Sequence, residues 1–373
     1  MMSRALEQSR GGRLPQRWWA QFRVDGWLLA GVLLLMAAGL LAIYSASEQN
    51  LALLYRQLIR YGIALLVMLT LSQLHPRYLR IWSPWFYAGM LLLLGLVLVV
   101  GSGTGASRWL DLGVLRFQPA ESSKLAVPMM LAWTLSRLQL PPGLFSVLPA
   151  LLLLLLPCAL IAVQPDLGTA IMIAGSGLLV LFFSGIAWRY MLAAALTGVA
   201  AVPVVWSLLH EYQRNRVRTF LDPESDPLGQ GWNIIQSMTA VGSGGWHGKG
   251  WLQGTQSHLE FLPEPHTDFI MAVIAEEFGW FGVALMLLLY AGITLRGLYL
   301  AAQGRDSFAR MLGSALIMTF FFYVVVNTAM VSGLLPVVGV PLPMVSYGGS
   351  SAVTLAAGFG ILLSLYKHRK IWS

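Results

Sequence analysis

The sequence predicts an all-α polytopic membrane protein, and three observations support that fold class. Of its 373 residues, 57% are hydrophobic and only 11% are charged, whereas soluble domains carry about a quarter charged residues. The mean hydropathy is +0.68. Several apolar runs approach or exceed the roughly 18 to 20 residues that cross a bilayer as a helix. Because these runs are continuous and do not alternate with polar residues, a helical bundle is expected and a β-barrel is not.

About ten membrane spans are predicted, which places both ends of the chain on one side. The first follows an Arg-rich tail and is too long for the core of a signal peptide, so we interpret it as a retained helix. The eighth contains Glu276, Glu277 and Gly279, so we expect it to be tilted, broken or partly outside the bilayer. The predicted spans cover residues 27–46, 55–73, 80–100, 119–138, 145–163, 167–185, 187–209, 268–299, 309–330 and 346–366.

Charge predicts the orientation of the bundle. Loops on the side of the termini hold 15 of the 24 basic residues but only three of the 16 acidic ones. By the positive-inside rule both termini are cytoplasmic, and the link 331–345 lies on the outer side. The chain then divides into a cytoplasmic tail 1–26, a single transmembrane domain 27–366 with a large extracytoplasmic loop 210–267 between spans seven and eight, and a tail 367–373. The net charge of +8 reflects this topology, and no motif indicates a nucleic-acid partner.

Span four begins with a charged motif. Residues 118–124 read QPAESSK, and a proline suits the first turn of a helix, where its missing N–H is not needed. Glu121 and Lys124 are three positions apart and therefore share one helix face. A charge at the bilayer centre costs about 2.5 to 3.5 kcal/mol, so such residues usually pair or serve a pathway. Both a structural ion pair and an anion or ion site within the bundle stay open here.

The predicted outer loops carry further cations. Arg108 lies beside aromatic and glycine residues, and its guanidinium matches phosphate oxygens, although anchoring to lipid headgroups is an equal alternative. Arg216 and Lys249 lie in the long loop. Residues 242–250, GSGGWHGKG, narrowly miss the nucleotide-binding P-loop pattern and face away from cytoplasmic ATP, so we exclude nucleotide binding. Lys249 remains a candidate phosphate contact.

The long loop ends in EFLPEPHTDF at residues 260–269, directly before a long apolar run. Asp268 therefore lies where a reaction on the water side could meet a lipid-borne molecule. Thr267 and Asp268 are also good helix N-cap residues, so a capping role is an equal alternative. His266 alone is a weak signal. In span nine, Asn327 is predicted to form a helix–helix hydrogen bond.

Four motifs in this order resemble those of the SEDS family of cell-wall polymerases, and the resemblance covers the chain from span one to span ten. The motifs are QPAE with Lys124, QPDLGT at 164–169, FLPE and HTDF at 261–269, and PVVGVPLPMVSYGGSS at 336–351. The resemblance implies a peptidoglycan glycosyltransferase of the bacterial inner membrane that polymerises lipid II on the periplasmic side. The partners it implies are a class B penicillin-binding protein, which acts as transpeptidase, and other membrane proteins of the elongation complex.

The same resemblance implies roles for individual residues. Asp268 is the essential aspartate of the HTDF motif. The resemblance also maps Arg108, Glu121, Lys124 and Asp166, and Glu264 and His266 lie within its motifs. With the loop cations Arg216 and Lys249 added, the substrate-binding candidates are Arg108, Glu121, Lys124, Asp166, Arg216, Lys249, Glu264 and His266. No cofactor is firmly indicated, although a divalent cation, Mg²⁺ or Mn²⁺, could share the binding of a diphosphate with Asp166 or Glu264. A transporter or flippase of lipid-linked precursors is the alternative activity, because an intramembrane Glu/Lys pair would also suit it. A non-catalytic scaffold for the transpeptidase is the third.

Overall fold

The computed structural model describes residues 24–101, 109–111, 116–164, 166–208, 211–226, 229–255 and 265–369. These residues form twelve α-helices, a short 3₁₀ turn at Pro223–Ser225 and one antiparallel pair of two-residue strands, β1 (Leu110–Asp111) and β2 (Arg116–Phe117). The helices are α1 (Gly26–Ala46), α2 (Leu51–Gln73), α3 (Pro76–Val100), α4 (Pro119–Leu135), α5 (Leu144–Val163), α6 (Leu167–Phe183), α7 (Trp188–Leu208), α8 (Glu211–Leu221), α9 (Gln230–Ser243), α10 (Ile270–Ala302), α11 (Ser307–Val331) and α12 (Ser350–Lys367). The predicted all-α class is confirmed.

Each predicted span coincides with one of these helices. Within the described residues, seven helices are long and apolar enough to cross a membrane: α1, α2, α3, α5, α10, α11 and α12. Helices α6 and α7 are apolar but contribute shorter apolar stretches, and α4 has 17 residues, including Glu121 and Lys124. The number of crossings, the cytoplasmic placement of the termini and the domain limits therefore stay predictions.

Polar caps define where several helices begin. At α1, α2, α3, α6 and α11 the side chain before the first turn accepts a hydrogen bond from a backbone N–H of that turn. These caps are Asp25, Asn50, His75, Asp166 and Asp306. Each satisfies an amide that has no partner inside its helix, which matters most where little water is available. The connections between spans can therefore be short.

Helix α10 is broken at Gly279, as its length and charges predicted. Gly279 has φ 64° and ψ −162°, a conformation that favours glycine. A Cβ on Gly282 would lie 3.8 Å from the carbonyl oxygen of Ile274, although residues eight apart in one straight helix are separated by about 12 Å. The chain therefore folds back sharply. Residues 270–278 form a half-helix beside the longer part of α10.

The glycine- and proline-rich link between α11 and α12 enters the bundle and does not stay on its surface. We call residues 336–349 the inserted segment. Its backbone carbonyls accept hydrogen bonds from two tyrosines on spans, Tyr290 to Pro343 at 2.6 Å and Tyr61 to Met344 at 2.8 Å. Val345 is fully buried. Most of residues 340–345, in the link that the charge pattern predicts on the outer side, are thus buried inside the bundle, where side chains of α2 and α10 satisfy their backbone in place of water.

Candidate active site

The backbone around Asp268 is held by donors from later in the chain. The carbonyls of three consecutive residues each accept one hydrogen bond. These bonds join His266 to the Tyr347 N–H at 2.8 Å, Thr267 to the Ser346 hydroxyl, and Asp268 to the Asn327 side-chain amide at 2.9 Å. Two of the three donors belong to the inserted segment. The orientation of the half-helix that follows is therefore set by tertiary contacts as well as by its own sequence.

Asn327 connects the same two elements. Its side-chain amide donates to the carbonyl of Asp268 and, at 2.7 Å, to the carbonyl of Val340 in the inserted segment. The predicted helix–helix bond is wrong, since both acceptors lie outside helices. Asn327 is fully buried, so both bonds form in a region of low dielectric, where leaving the carbonyls unpaired would be costly.

The carboxylate of Asp268 lies against Gly339. A Cβ at Gly339 would be 3.4 Å from Asp268 Oδ2, and Gly339 has a φ of +70°. The half-helix begins at Ile270 with Phe269 at its N-cap position and no side-chain cap. The capping alternative for Thr267 or Asp268 is therefore not the arrangement observed. Asp268 is half-buried, which leaves its carboxylate partly accessible.

The predicted pairing of Glu121 with Lys124 is confirmed. Lys124 Nζ lies 2.6 Å from Glu121 Oε1 and 4.5 Å from the ring centroid of Tyr323 on α11. Both charged side chains are buried. The second carboxylate oxygen, Glu121 Oε2, is buried and has no hydrogen bond from the described residues. Such an oxygen normally finds a partner, and water or a bound hydroxyl could supply it.

Asp166 connects this pair to the inserted segment. Its carboxylate caps α6 and lies 3.4 Å from the Gln118 amide, which precedes α4. Two residues on, a Cβ at Gly168 would lie 2.8 Å from the carbonyl oxygen of Val338. Val338 directly precedes Gly339, the neighbour of Asp268. Gly168 of α6 and the Asp268 carboxylate thus lie against adjacent residues of the inserted segment, Val338 and Gly339.

Lys249 is bound to the half-helix. Its ammonium group lies 2.6 Å from Glu276 Oε1 and 2.7 Å from the Thr255 hydroxyl. Its backbone N–H also donates to the carbonyl of Glu276, which is fully buried. Because Glu276 already neutralises the charge of Lys249, the observed contacts of Lys249 hold the half-helix in place. Contact with a phosphate stays a prediction.

The reversal at Gly279 is covered by the loop that contains Lys249. The N–H groups of Gly250 and Trp280 donate across it to the carbonyls of Glu277 and Gly245, each at 2.9 Å. The Ser45 hydroxyl at the end of α1 donates to the carboxylate of Glu277. The loop 244–250 and α1 therefore brace the half-helix at the end opposite Asp268.

The remaining candidates are less closely tied to this site. The His266 ring contacts the Tyr347 ring edge-on, with centroids 5.6 Å apart. Arg216 lies half-buried on α8 in the large outer loop. Arg108 and Glu264 lie outside the described residues. Sequence reasoning missed Tyr323, Ser346 and Tyr347 as supporting residues; only the SYGG motif signalled the last two.

The grouping of carboxylates bears on metal binding. The part of the chain that the structure describes contains no group of three or more His, Cys, Asp or Glu side chains that could hold a metal ion. Mg²⁺ commonly uses one or two carboxylates together with substrate phosphates. The divalent cation that Asp166 or Glu264 would help to hold therefore stays a prediction.

The fold and these contacts define a polytopic helical membrane protein with a charged site built inside its bundle. The chain belongs to the FtsW, RodA and SpoVE family of cell cycle proteins, whose family model matches residues 20–371. The predicted SEDS membership is thereby confirmed. Within that family, the motifs of this chain most resemble those of RodA, the rod-shape-determining member, with FtsW close to it.

Individual relatives agree with this assignment. The peptidoglycan glycosyltransferase MrdB of Escherichia coli K12 is 49% identical over 357 residues, covering 95% of this chain and 96% of its own. A chain from a solved peptidoglycan synthase complex, described as coordinating polymerization and crosslinking, is 36% identical with a TM-score of 0.82, covering 93% of this chain and 98% of its own. The crystal structure of Thermus thermophilus rod shape determining protein RodA is 32% identical with a TM-score of 0.71 and the same coverage.

Proposed function

We propose that this protein is a peptidoglycan glycosyltransferase that polymerises lipid II at the outer face of the bacterial inner membrane. The observation that carries the proposal is the fixed backbone of residues 266–268, which presents Asp268 beside the inserted segment; Gly168, in the helix that Asp166 caps, lies against the same segment. Family membership and the names of the relatives support the same activity.

The reaction needs one displacement. The donor sugar of lipid II is α-linked to a diphosphate and the product linkage is β, so a single inversion suffices. The 4-hydroxyl oxygen of the acceptor sugar attacks the anomeric carbon, and the bond to the diphosphate oxygen breaks. Asp268 would orient that hydroxyl and take its proton, a contribution of about 10²- to 10⁴-fold for general base catalysis. Undecaprenyl diphosphate leaves with the electron pair.

The leaving diphosphate needs positive charge near it. Lys124 is the buried cation of the described site, and Glu121 holds its ammonium group in place. Arg108, which the family resemblance indicates, and the loop cations Arg216 and Lys249 are further candidates for phosphate contacts. A divalent cation, Mg²⁺ or Mn²⁺, would add Lewis-acid stabilisation of the leaving oxygens, with Asp166 or Glu264 helping to hold it.

The cellular setting follows from the family. We place the activity in cell elongation, with a class B penicillin-binding protein as the transpeptidase and other elongation-complex membrane proteins nearby. The solved synthase complex, which resembles this chain over 93% of its length, supports a partnership of this kind. Localisation to the inner membrane as a multi-pass protein accords with the apolar helices.

The direct test is polymerisation of purified lipid II by the purified protein and by Asp268→Asn. We expect the variant to lose at least about 100-fold in glycan formation, because an amide cannot accept the proton. Thermal stability should be unchanged, since the hydrogen bond from Asn327 to residue 268 is to its backbone. Asp306→Asn, the same change at the opposite end of the bundle, is the matched control and should polymerise normally.

The alternatives give different results. A transporter would move lipid II across a vesicle bilayer without forming glycan, and Asp268→Asn would then have no polymerisation to lose. A scaffold would support growth of cells whose only copy carries Asp268→Asn. Substantial glycan synthesis by that variant would refute the proposed role of Asp268.

A further inference from the structure

A second charged cavity lies at the other end of the bundle, which the charge pattern predicts to be cytoplasmic. It has a volume of about 340 Å³ and opens where the starts of α3 and α11 meet the end of α12. This volume falls in the range of about 300 to 1,000 Å³ that is usual for ligand sites. The polar lining residues are His75, Arg77, Arg80, Arg305, Asp306 and His368.

The cavity carries excess positive charge. Its one carboxylate, Asp306, already caps α11 and lies 3.4 Å from Arg80 Nη1. Arg77 and Arg305 are exposed and form no ion pair with the described residues. Their guanidinium groups are therefore available for an anion. Phosphate oxygens suit a guanidinium particularly well, because two parallel N–H groups can donate to them.

The two histidines of the cavity also bear on its positive charge. The rings of His75 and His368 meet edge-on, with centroids 4.4 Å apart. Desolvation and the positive charges of His368, Arg305 and Arg77 lower the pKa of His75. The part of this lowering that comes from neighbouring positive charges is the part that a bound anion would relieve.

The floor of the cavity is apolar. It is formed by Phe308, Ala309 and Leu365, each no more than 2% exposed. On α3, directly after the cavity, Tyr78, Trp82 and Trp85 are more than half exposed. Exposed tyrosine and tryptophan on a membrane helix are typical of the headgroup level of the bilayer. The cavity therefore combines a cationic rim, an apolar floor and a position at the lipid interface.

We propose that this cavity binds the headgroup of an anionic membrane phospholipid, with its phosphate between Arg77 and Arg305 and its glycerol region toward the exposed aromatic residues of α3. Basic pockets between helices on the cytoplasmic side are suited to such headgroups. The exposed Tyr78, Trp82 and Trp85 favour a lipid over free phosphate, because they place the cavity at the headgroup level, where phospholipid is abundant. This site is separate from Asp268 and independent of the glycosyltransferase assignment.

The test measures lipids retained by the purified full-length protein. The protein is equilibrated with equal amounts of phosphatidylglycerol and phosphatidylcholine, and bound lipid is identified by native mass spectrometry. We expect phosphatidylglycerol to be enriched. Arg77→Gln and Arg305→Gln should each lower the enrichment about fivefold, since one basic residue near an anionic surface contributes about that factor. Both side chains are exposed, so folding should persist, as size-exclusion chromatography would verify.

Arg189→Gln is the matched control, because Arg189 is an exposed arginine at the same end that stacks on Tyr190 and does not line the cavity. It should retain full enrichment. Absence of enrichment in the unchanged protein, or an equal loss in Arg189→Gln, would overturn the proposal. A third arm adds inorganic phosphate to protein in phosphatidylcholine alone. Thermal stabilisation there that matches the effect of phosphatidylglycerol would identify a free-phosphate site and refute the lipid assignment.

Discussion

Two ion pairs at opposite ends of the bundle differ in their exposure to solvent. The Glu121–Lys124 pair has side chains only 11% and 5% exposed. At the other end the Arg80–Asp306 pair is 40% and 48% exposed. Exposed pairs contribute about 0 to 1 kcal/mol, whereas burying an ion pair requires a desolvation energy that its attraction barely offsets.

The backbone conformation also differs between the two ends of the bundle. At the predicted cytoplasmic end, helices begin at ordinary caps such as His75 and Asp306. At the predicted outer end, the chain reverses at Gly279 and the inserted segment enters the bundle. A protein that keeps strained backbone and buried charge in one region is expected to use them there. Pre-organised chemistry is therefore expected around Asp268 and the Glu121–Lys124 pair, and a solvent-screened electrostatic field around the cavity that Arg77 and Arg305 line.

The largest effect is expected from Glu121→Ala, which tests whether the buried ion pair serves catalysis. It leaves the Lys124 ammonium buried without its carboxylate, which costs about 3 to 5 kcal/mol for a broken buried pair. We also expect at least about a 100-fold loss of glycan synthesis, because Lys124 is no longer positioned for the diphosphate. Thermal unfolding in detergent and polymerisation of purified lipid II measure the two effects.

The double variant Glu121→Ala/Lys124→Met distinguishes the two roles. Removing both charges should restore much of the stability, as replacement of buried pairs by apolar residues often does. Activity should stay lost. If the double variant regained activity together with stability, the pair would be only structural and the contrast between the ends would weaken.

A smaller effect is expected from Gly279→Ala. Its Cβ would overlap the backbone nitrogen of Gly248 and lie 2.7 Å from that of His247, at a positive φ. The expected destabilisation is about 1 to 3 kcal/mol, with reduced activity because the half-helix moves. Gly292→Ala is the control on the same helix, since a Cβ there meets nothing within 4 Å. It should be neutral or stabilising by up to about 1 kcal/mol. Equal melting temperatures for the two variants would contradict a strained reversal.

The smallest effect concerns pH at the inner end. His75 faces His368, Arg77, Arg80, Arg305 and Asp306. Because its pKa is lowered in the folded protein, protonation as pH falls below its ordinary value of about 6.5 destabilises the protein without a bound anion. An anionic lipid should oppose this loss.

The measurement is the melting temperature at pH 5.5 and pH 8 in phosphatidylglycerol and in phosphatidylcholine. Stability should fall more on acidification in phosphatidylcholine. His75→Asn retains a side chain that can cap α3 but removes the titration, so it should abolish the difference between lipids. A difference that persists in this variant would assign it to another group.

Local sequence patterns predicted the features of the fold that depend on residues close together in the chain. Continuous apolar runs located the spans, and the three-residue spacing located the Glu121–Lys124 pair. Gly279 beside two glutamates indicated a break. These features could be predicted because hydrophobic burial and helix periodicity act over a few turns.

The assembly of the site could not be predicted in this way. The bonds from Asn327 to Asp268 and from Ser346 to Thr267 join residues 59 and 79 positions apart. No sequence periodicity indicates such a pairing. For that reason the sequence predicts a helix–helix hydrogen bond for Asn327 and offers helix capping as an alternative role for Asp268. The family resemblance identified Asp268 and the inserted segment as important, but it did not provide the contacts between them.

The three bonded carbonyls have a consequence for biosynthesis. Residues 266–268 are translated well before the residues that donate to them, which lie on α11 and in the inserted segment. During membrane insertion, the half-helix can therefore form before Asp268 has its final orientation. The site becomes complete only when the last part of the bundle docks, so a nascent chain lacking that part carries the aspartate but not its final geometry.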